Sequence, residues 1–154
     1  MSALFAAVRP DEQNLPLFVH VLGAMTLVGG LFAGAGALAL ARGDARWLRL
    51  GYWSLLAIAL PGWFLMRIGA GWIYSKEGWE DVPERLHPTW LGIGFAVADL
   101  GGLVLLVSLV VGGIGAYRLR KGKGSGLLRA TLVLSIVMLA AYVVAIWAMA
   151  GKPN

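Results

Sequence analysis

Three side chains, His20, Arg67 and Asp99, sit inside long apolar runs where their chemistry is out of place. Around Asp99 the sequence reads FAVADLGGLV, residues 95 to 104, with no other polar side chain. An ionised group at mid-bilayer costs about 2.5–3.5 kcal/mol on insertion scales, so each of these residues needs a partner or water. A planar guanidinium and a carboxylate can satisfy each other, which makes Arg67 and Asp99 candidates for a direct ion pair. His20 either hydrogen-bonds a backbone carbonyl or hydroxyl, or serves as a ligand to a metal or haem. Trp63 and Tyr142 fall within reach of the same level, so the five residues form one candidate polar cluster.

The elements that position them are hydrophobic helices. The chain has 154 residues, 59% hydrophobic and 14% charged, with a mean hydropathy of +0.77. That composition suits a polytopic membrane protein of one domain, residues 1–154. Four segments are long enough to cross a bilayer, roughly 15–41, 48–74, 90–117 and 127–150. Helices are expected throughout, because a lipid-exposed backbone must satisfy its own hydrogen bonds and nothing alternates as a barrel strand would. The fold class is therefore an all-α integral membrane bundle of four helices, arranged as two tandem hairpins.

Charge sets the orientation. The links at 42–49 and 118–129 hold eight of the thirteen basic residues, whereas the link at 75–89 holds four of the eight acids. By the positive-inside rule both basic links are cytoplasmic, and the acidic loop and both termini lie outside. The first span is read as a retained helix: it lacks a basic n-region, and its basic cluster follows the apolar stretch. At 1.5 Å of rise per residue, His20, Arg67 and Asp99 all fall at roughly 8–14 Å depth in the outer half of the membrane. The expectation is that they face the bundle interior near its outer mouth. The net charge of +5 is explained by this topology, and no nucleic-acid partner is expected.

A shift of 79 residues aligns GAGALALARG (34–43) with GIGAYRLRKG (113–122). In the same register His20 falls on Asp99, Gly23 on Gly102, Leu48 on Leu127 and Trp63 on Tyr142. Each half then reads as a glycine-rich helix going in, a basic turn and a bulkier helix coming out, which suggests a parallel internal repeat. Gly30, Gly34 and Gly36, with Gly112, Gly113 and Gly115, are expected to allow close helix approach, within one chain or between copies. The expected partners are the lipid bilayer and either other proteins or further copies of the chain.

Other features carry less chemistry. Pro61, shortly before Arg67, frees a carbonyl near Ala57 and is expected to bend its helix. His87 reads as a solvated loop histidine. Glu77, Glu80, Asp81 and Glu84 lack calcium-loop spacing and suggest a solvated cap, such as a short amphipathic helix across the bundle mouth. Most tryptophans sit near span ends, as an aromatic belt requires. The absence of cysteine excludes disulfides, thiolate sites and covalently attached c-type haem. No phosphate-binding loop, HExxH or nucleophile elbow stands in a usable context, so no catalytic residue is assigned.

VHVLGAMTLVGG (19–30) resembles the first-helix pattern of the CopD-like copper-resistance proteins and related bacterial four-helix membrane proteins. The C-terminal AIWAMAGKP (145–153) is similar to the way some of those proteins end. The resemblance implies a bacterial inner-membrane protein in which His20 binds copper or haem b. The chain departs from that pattern at Leu27 and Val28, where the family carries an aromatic residue, and it has no second histidine at matching depth. Three functions follow as expectations. The first is a non-catalytic accessory or structural subunit of a larger membrane complex. The second is a haem-, copper- or quinone-binding redox-linked protein, and the third a small oligomeric transporter or channel.

Overall fold

The computed structural model describes residues 14–151; both chain termini, expected on the outer side of the membrane, lie outside the described residues. Among these residues there are four long helices: α1 (Asn14–Leu40), α2 (Ala45–Lys76), α3 (Thr89–Arg120) and α4 (Gly126–Gly151). Each is long and apolar enough to cross a membrane. The protein is an all-α, multi-pass membrane protein, a four-helix bundle in which α1 packs on α2, α3 on α4, α1 on α4 and α2 on α3. The apolar runs dictate helices because only a helix closes its backbone hydrogen bonds within one segment.

The links are short and chemically specified. After α1 the chain reverses through Arg42 and Gly43, both at positive φ (41° and 95°), a region glycine enters without penalty. Asp44 then caps α2, its side chain accepting from the Arg46 N–H at 2.7 Å. This cap starts α2 three residues before the Leu48 expected from hydropathy, because hydropathy ignores capped polar turns. α3 ends at the basic run Arg118–Lys121, and Gly122 turns the chain at φ 70°.

Pro61 leaves its mark as a π-turn at Leu55–Ala59, where the Leu60 N–H bonds back to the Leu55 carbonyl. The wider turn precedes the residue that cannot donate, and the ladder resumes through Leu60–Lys76. It also places Leu55 and Ala59, both fully buried, against α1. A Cβ built at Gly30 would fall 2.6 Å from the Ala59 nitrogen, and one at Gly34 2.7 Å from Leu55 Cδ2. Gly23 meets the Met66 backbone, while Gly62 and Gly69 meet the backbones of Leu27 and His20. The first hairpin is thus held by backbone-to-backbone approach at small residues, tied by Ser54 Oγ donating to the Gly30 carbonyl at 3.0 Å.

The second hairpin closes differently, with side chains filling the glycine slots. Gly101 receives Tyr142, Gly94 receives Met149, and Gly115 lies against Leu127 and Leu128. Gly112 and Gly113 face Tyr52 of α2. Gly36 packs on nothing: a Cβ there would meet no atom within 4 Å. It lies off the α2-facing row of Gly23, Gly30 and Gly34, so the sequence match with Gly115 does not give it the same neighbour. The centre of the bundle is filled by Leu27, Leu31, Leu55, Leu105 and Leu128, none with exposed surface.

Candidate functional site

Arg67 of α2 and Asp99 of α3 meet directly. Nε donates to Oδ1 at 2.8 Å and a terminal guanidinium nitrogen to Oδ2 at 3.4 Å. They meet because they share a depth: Arg67 is nine residues from Lys76 at the end of α2, and Asp99 ten from Thr89 at the start of α3. Arg67 Cζ also lies 4.9 Å from the centre of the Phe95 ring. The pair does not face the bundle interior as the depth argument suggested. Its side chains are 32% and 56% exposed, which puts it on the flank where α2 and α3 abut. The core at this level is taken by Met66, Ala98 and Tyr142, so the two longer polar groups are left on the outside of the seam.

Trp63 belongs to the same seam. Its indole N–H donates to the Ala98 carbonyl at 2.8 Å, and its ring covers Gly102. Only a residue without a side chain admits that ring so close to α3.

His20 and Tyr142 stand elsewhere. His20 Nδ1 lies 3.0 Å from the Met66 carbonyl, so Nδ1 carries the proton and donates. Among the described residues, Nε2 makes no hydrogen bond. Tyr142 is 4% exposed, and its buried hydroxyl has no hydrogen-bond partner. Both residues line a half-open cleft of about 630 Å³. Its rim carries exposed Val21 and Met25 of α1 and Ile146 of α4, and its back is formed by buried Met66, Ala98 and Tyr142. A smaller space of about 280 Å³ continues past His20 and Met149 towards Glu77 and Trp90. The five residues expected to form one cluster face two openings: Trp63, Arg67 and Asp99 on the α2/α3 seam, His20 and Tyr142 in the α1/α4 cleft, with Phe95 of the cleft lining beneath Arg67.

The acidic link ends these helices without the expected amphipathic helix. Two single 3-10 turns, Trp79–Asp81 and Glu84–Leu86, take its place. Gly78 at φ 72° and the prolines at 83 and 88 leave no room for a longer helix. His87 is not simply solvated: Nε2 faces the carbonyls of Val82 at 3.0 Å and Trp79 at 3.3 Å, and its ring stands edge-on to Tyr74 and Trp79. It clasps the loop. That role was missed because both partners are main-chain carbonyls, which no side-chain pattern announces.

The cleft meets only part of what a copper or haem site requires. His20 suits an axial ligand, since a backbone carbonyl fixes its far nitrogen as in many metal-bound histidines. The rest of the lining does not suit haem b: it contains no Lys or Arg to meet the propionates and no second histidine. Met25, Met66 and Met149 do share the lining with His20. Among the described residues, no three of His, Cys, Asp or Glu gather to hold a metal. No family model, curated protein or solved structure matches the chain.

Proposed function

We propose that the protein is a non-catalytic bacterial inner-membrane component that holds a lipid-soluble quinone or quinol in the α1/α4 cleft. The reading rests on one observation: Tyr142, whose buried hydroxyl has no partner, and His20, engaged only through Nδ1, line the same apolar, half-open cleft. Its volume of about 630 Å³ suits a small-molecule site. Few polar groups on apolar walls are what a ring with an isoprenoid tail requires. A guest takes the Tyr142 hydroxyl as a donor for a ring carbonyl once that side chain swings off Gly101, against which it now lies, and His20 Nε2 is an acceptor for a ring hydroxyl. The exposed rim at Val21, Met25 and Ile146 gives the tail a way out into lipid. The cleft pairs no acid with a base, so it is read as a holding site within or beside a larger complex. A transport path through one chain is disfavoured by the filled core of Leu27, Leu31, Leu105 and Leu128. The basic links at 42–49 and 118–129 favour a cytoplasmic placement, which sets the cleft in the outer half of the membrane. The 79-residue register supports a duplicated hairpin as the origin of the bundle.

The test is purification in mild detergent, extraction and mass spectrometry of what remains bound. Quinone above its bulk membrane ratio is expected. Tyr142→Phe is expected to retain about tenfold less, the equivalent of one lost hydrogen bond. Ala24→Phe, which fills the cleft, should abolish retention. Wild-type protein retaining no more quinone than Ala24→Phe overturns the reading. A second reading is a soft cation such as monovalent copper, favoured by the three methionines beside His20, because thioethers select that ion. Metal analysis of the same preparation separates the two.

A further inference from the structure

The Arg67–Asp99 pair lies at hydrocarbon depth yet on the outside of the bundle, and that position is chemically incomplete. Arg67 has five N–H donors and uses two, one of them at 3.4 Å, while Asp99 keeps acceptor capacity on both oxygens. Asp99 is too short to reach the headgroups, and Arg67 is tied to it. Lipid tails offer neither donors nor acceptors, so whatever covers this face must bring both at the same depth.

We propose that this face is covered by a second copy of the chain, related by a two-fold axis along the membrane normal. The geometry favours that occupant. Arg67 and Asp99 lie side by side at nearly one depth, so such an axis sets Arg67 of each copy opposite Asp99 of the other, without further adjustment. Four charges then form a ring of alternating sign, each ion with a neighbour within its own chain and one across the interface. Both copies keep the same orientation in the membrane, as their identical basic links require.

The surface beside the pair is shaped for close approach. Gly71 follows Arg67 by one turn on α2, and Gly92 precedes Asp99 by two turns on α3. A Cβ at either would meet no atom within 4 Å, and neighbouring Ala96 is exposed. The small residues allow backbones to approach, and the charges supply direction. This dimer face lies on the α2/α3 seam, whereas the cleft opens between α1 and α4 at Val21, Met25 and Ile146, so dimerisation is tested without a guest in that cleft.

The native chain has no cysteine, which makes crosslinking direct. Ala96→Cys and, as a control, Val143→Cys at a similar depth on exposed α4 are each reconstituted into dilute phosphatidylcholine vesicles and treated with a short bis-maleimide. Ala96→Cys is expected to crosslink to a dimer, and Val143→Cys to stay monomeric. In the Ala96→Cys background, Asp99→Asn should lower the association constant about tenfold. Exchanging the charges, Arg67→Asp with Asp99→Arg, should restore dimerisation, since the ring survives inversion. A monomeric Ala96→Cys protein, or equal crosslinking at both cysteines, overturns the proposal. So does an Asp99→Asn variant that dimerises as well as its parent. Neither of the first two results depends on a charge variant folding.

Discussion

The two seams between the hairpins occupy corresponding places in the bundle and behave in opposite ways. The α2/α3 seam is shut by Trp63 reaching the Ala98 carbonyl and by the Arg67–Asp99 pair. In the 79-residue register the matching positions on the α4/α1 seam are Tyr142, Ile146 and His20. There Ile146 cannot attract His20, which turns its Nδ1 to Met66 within its own hairpin. Tyr142 likewise falls back onto Gly101 of its hairpin partner, and a cleft remains. Glycine and packing close each hairpin; between hairpins, α1 packs on α4 without a polar contact among the described residues, whereas α2 and α3 are tied by such contacts. Lipid competes equally well for any apolar face, so the α1/α4 seam depends on packing alone and parts around the cleft.

The largest effect should come from leaving one charge alone. Arg67→Leu is expected to cost about 3 kcal/mol, the price of an unpaired carboxylate among lipid and apolar side chains. Arg67→Leu combined with Asp99→Leu should cost clearly less, because neither charge is then stranded. Unfolding free energies of the two single variants and the double variant in bicelles measure the coupling. Harmless single changes would mean that the ion pair does not distinguish the seams.

The part of this comparison that could be read beforehand was depth. Twenty-residue apolar runs oblige the chain to form spanning helices, and counting from their ends placed Arg67 and Asp99 level. Rotation about the helix axis could not be read the same way. A helix that is apolar all round has no stripe to declare which side faces its neighbours, so a shared level does not fix a shared face. Asp99 turned out to point outward, and His20 and Tyr142 to line a different opening. The glycine rows show the same limit. Gly30 and Gly34 face α2, but Gly36 points away from every neighbour, although the motif treats the three alike. Contacts to main-chain carbonyls, Trp63 to Ala98 and His20 to Met66, were also invisible, because every residue carries that acceptor.

A graft sharpens the comparison at intermediate size. His20→Asp with Ile146→Arg writes the closed seam's pair onto the open one. Polar contacts between membrane helices average about 0.6 kcal/mol and reach about 1.7, so a gain of about 1 kcal/mol in stability is expected. The cleft should narrow as α4 is drawn to α1. Paired cysteines replacing Val21 and Ala150 at its rim should then crosslink with a shorter reagent than in the parent. Unchanged crosslinking would mean that helix shape, not charge, holds the cleft open.

The finest contrast lies between the two aromatic residues that the register equates. Trp63→Phe removes the indole bond that the Ala98 carbonyl accepts beside its helical one, for a cost of about 1 kcal/mol. Tyr142→Phe removes a hydroxyl that has no partner among the described residues, so it should leave stability within about 0.5 kcal/mol or raise it slightly. Both changes are made in purified protein stripped of bound lipophiles, and unfolding is compared with and without added quinone. Quinone should stabilise the parent and Trp63→Phe proteins, and should act much less on Tyr142→Phe. A Tyr142→Phe variant as damaged as Trp63→Phe without quinone would show that the hydroxyl serves the fold and is not held ready for a guest. The two seams would then differ in shape but not in purpose.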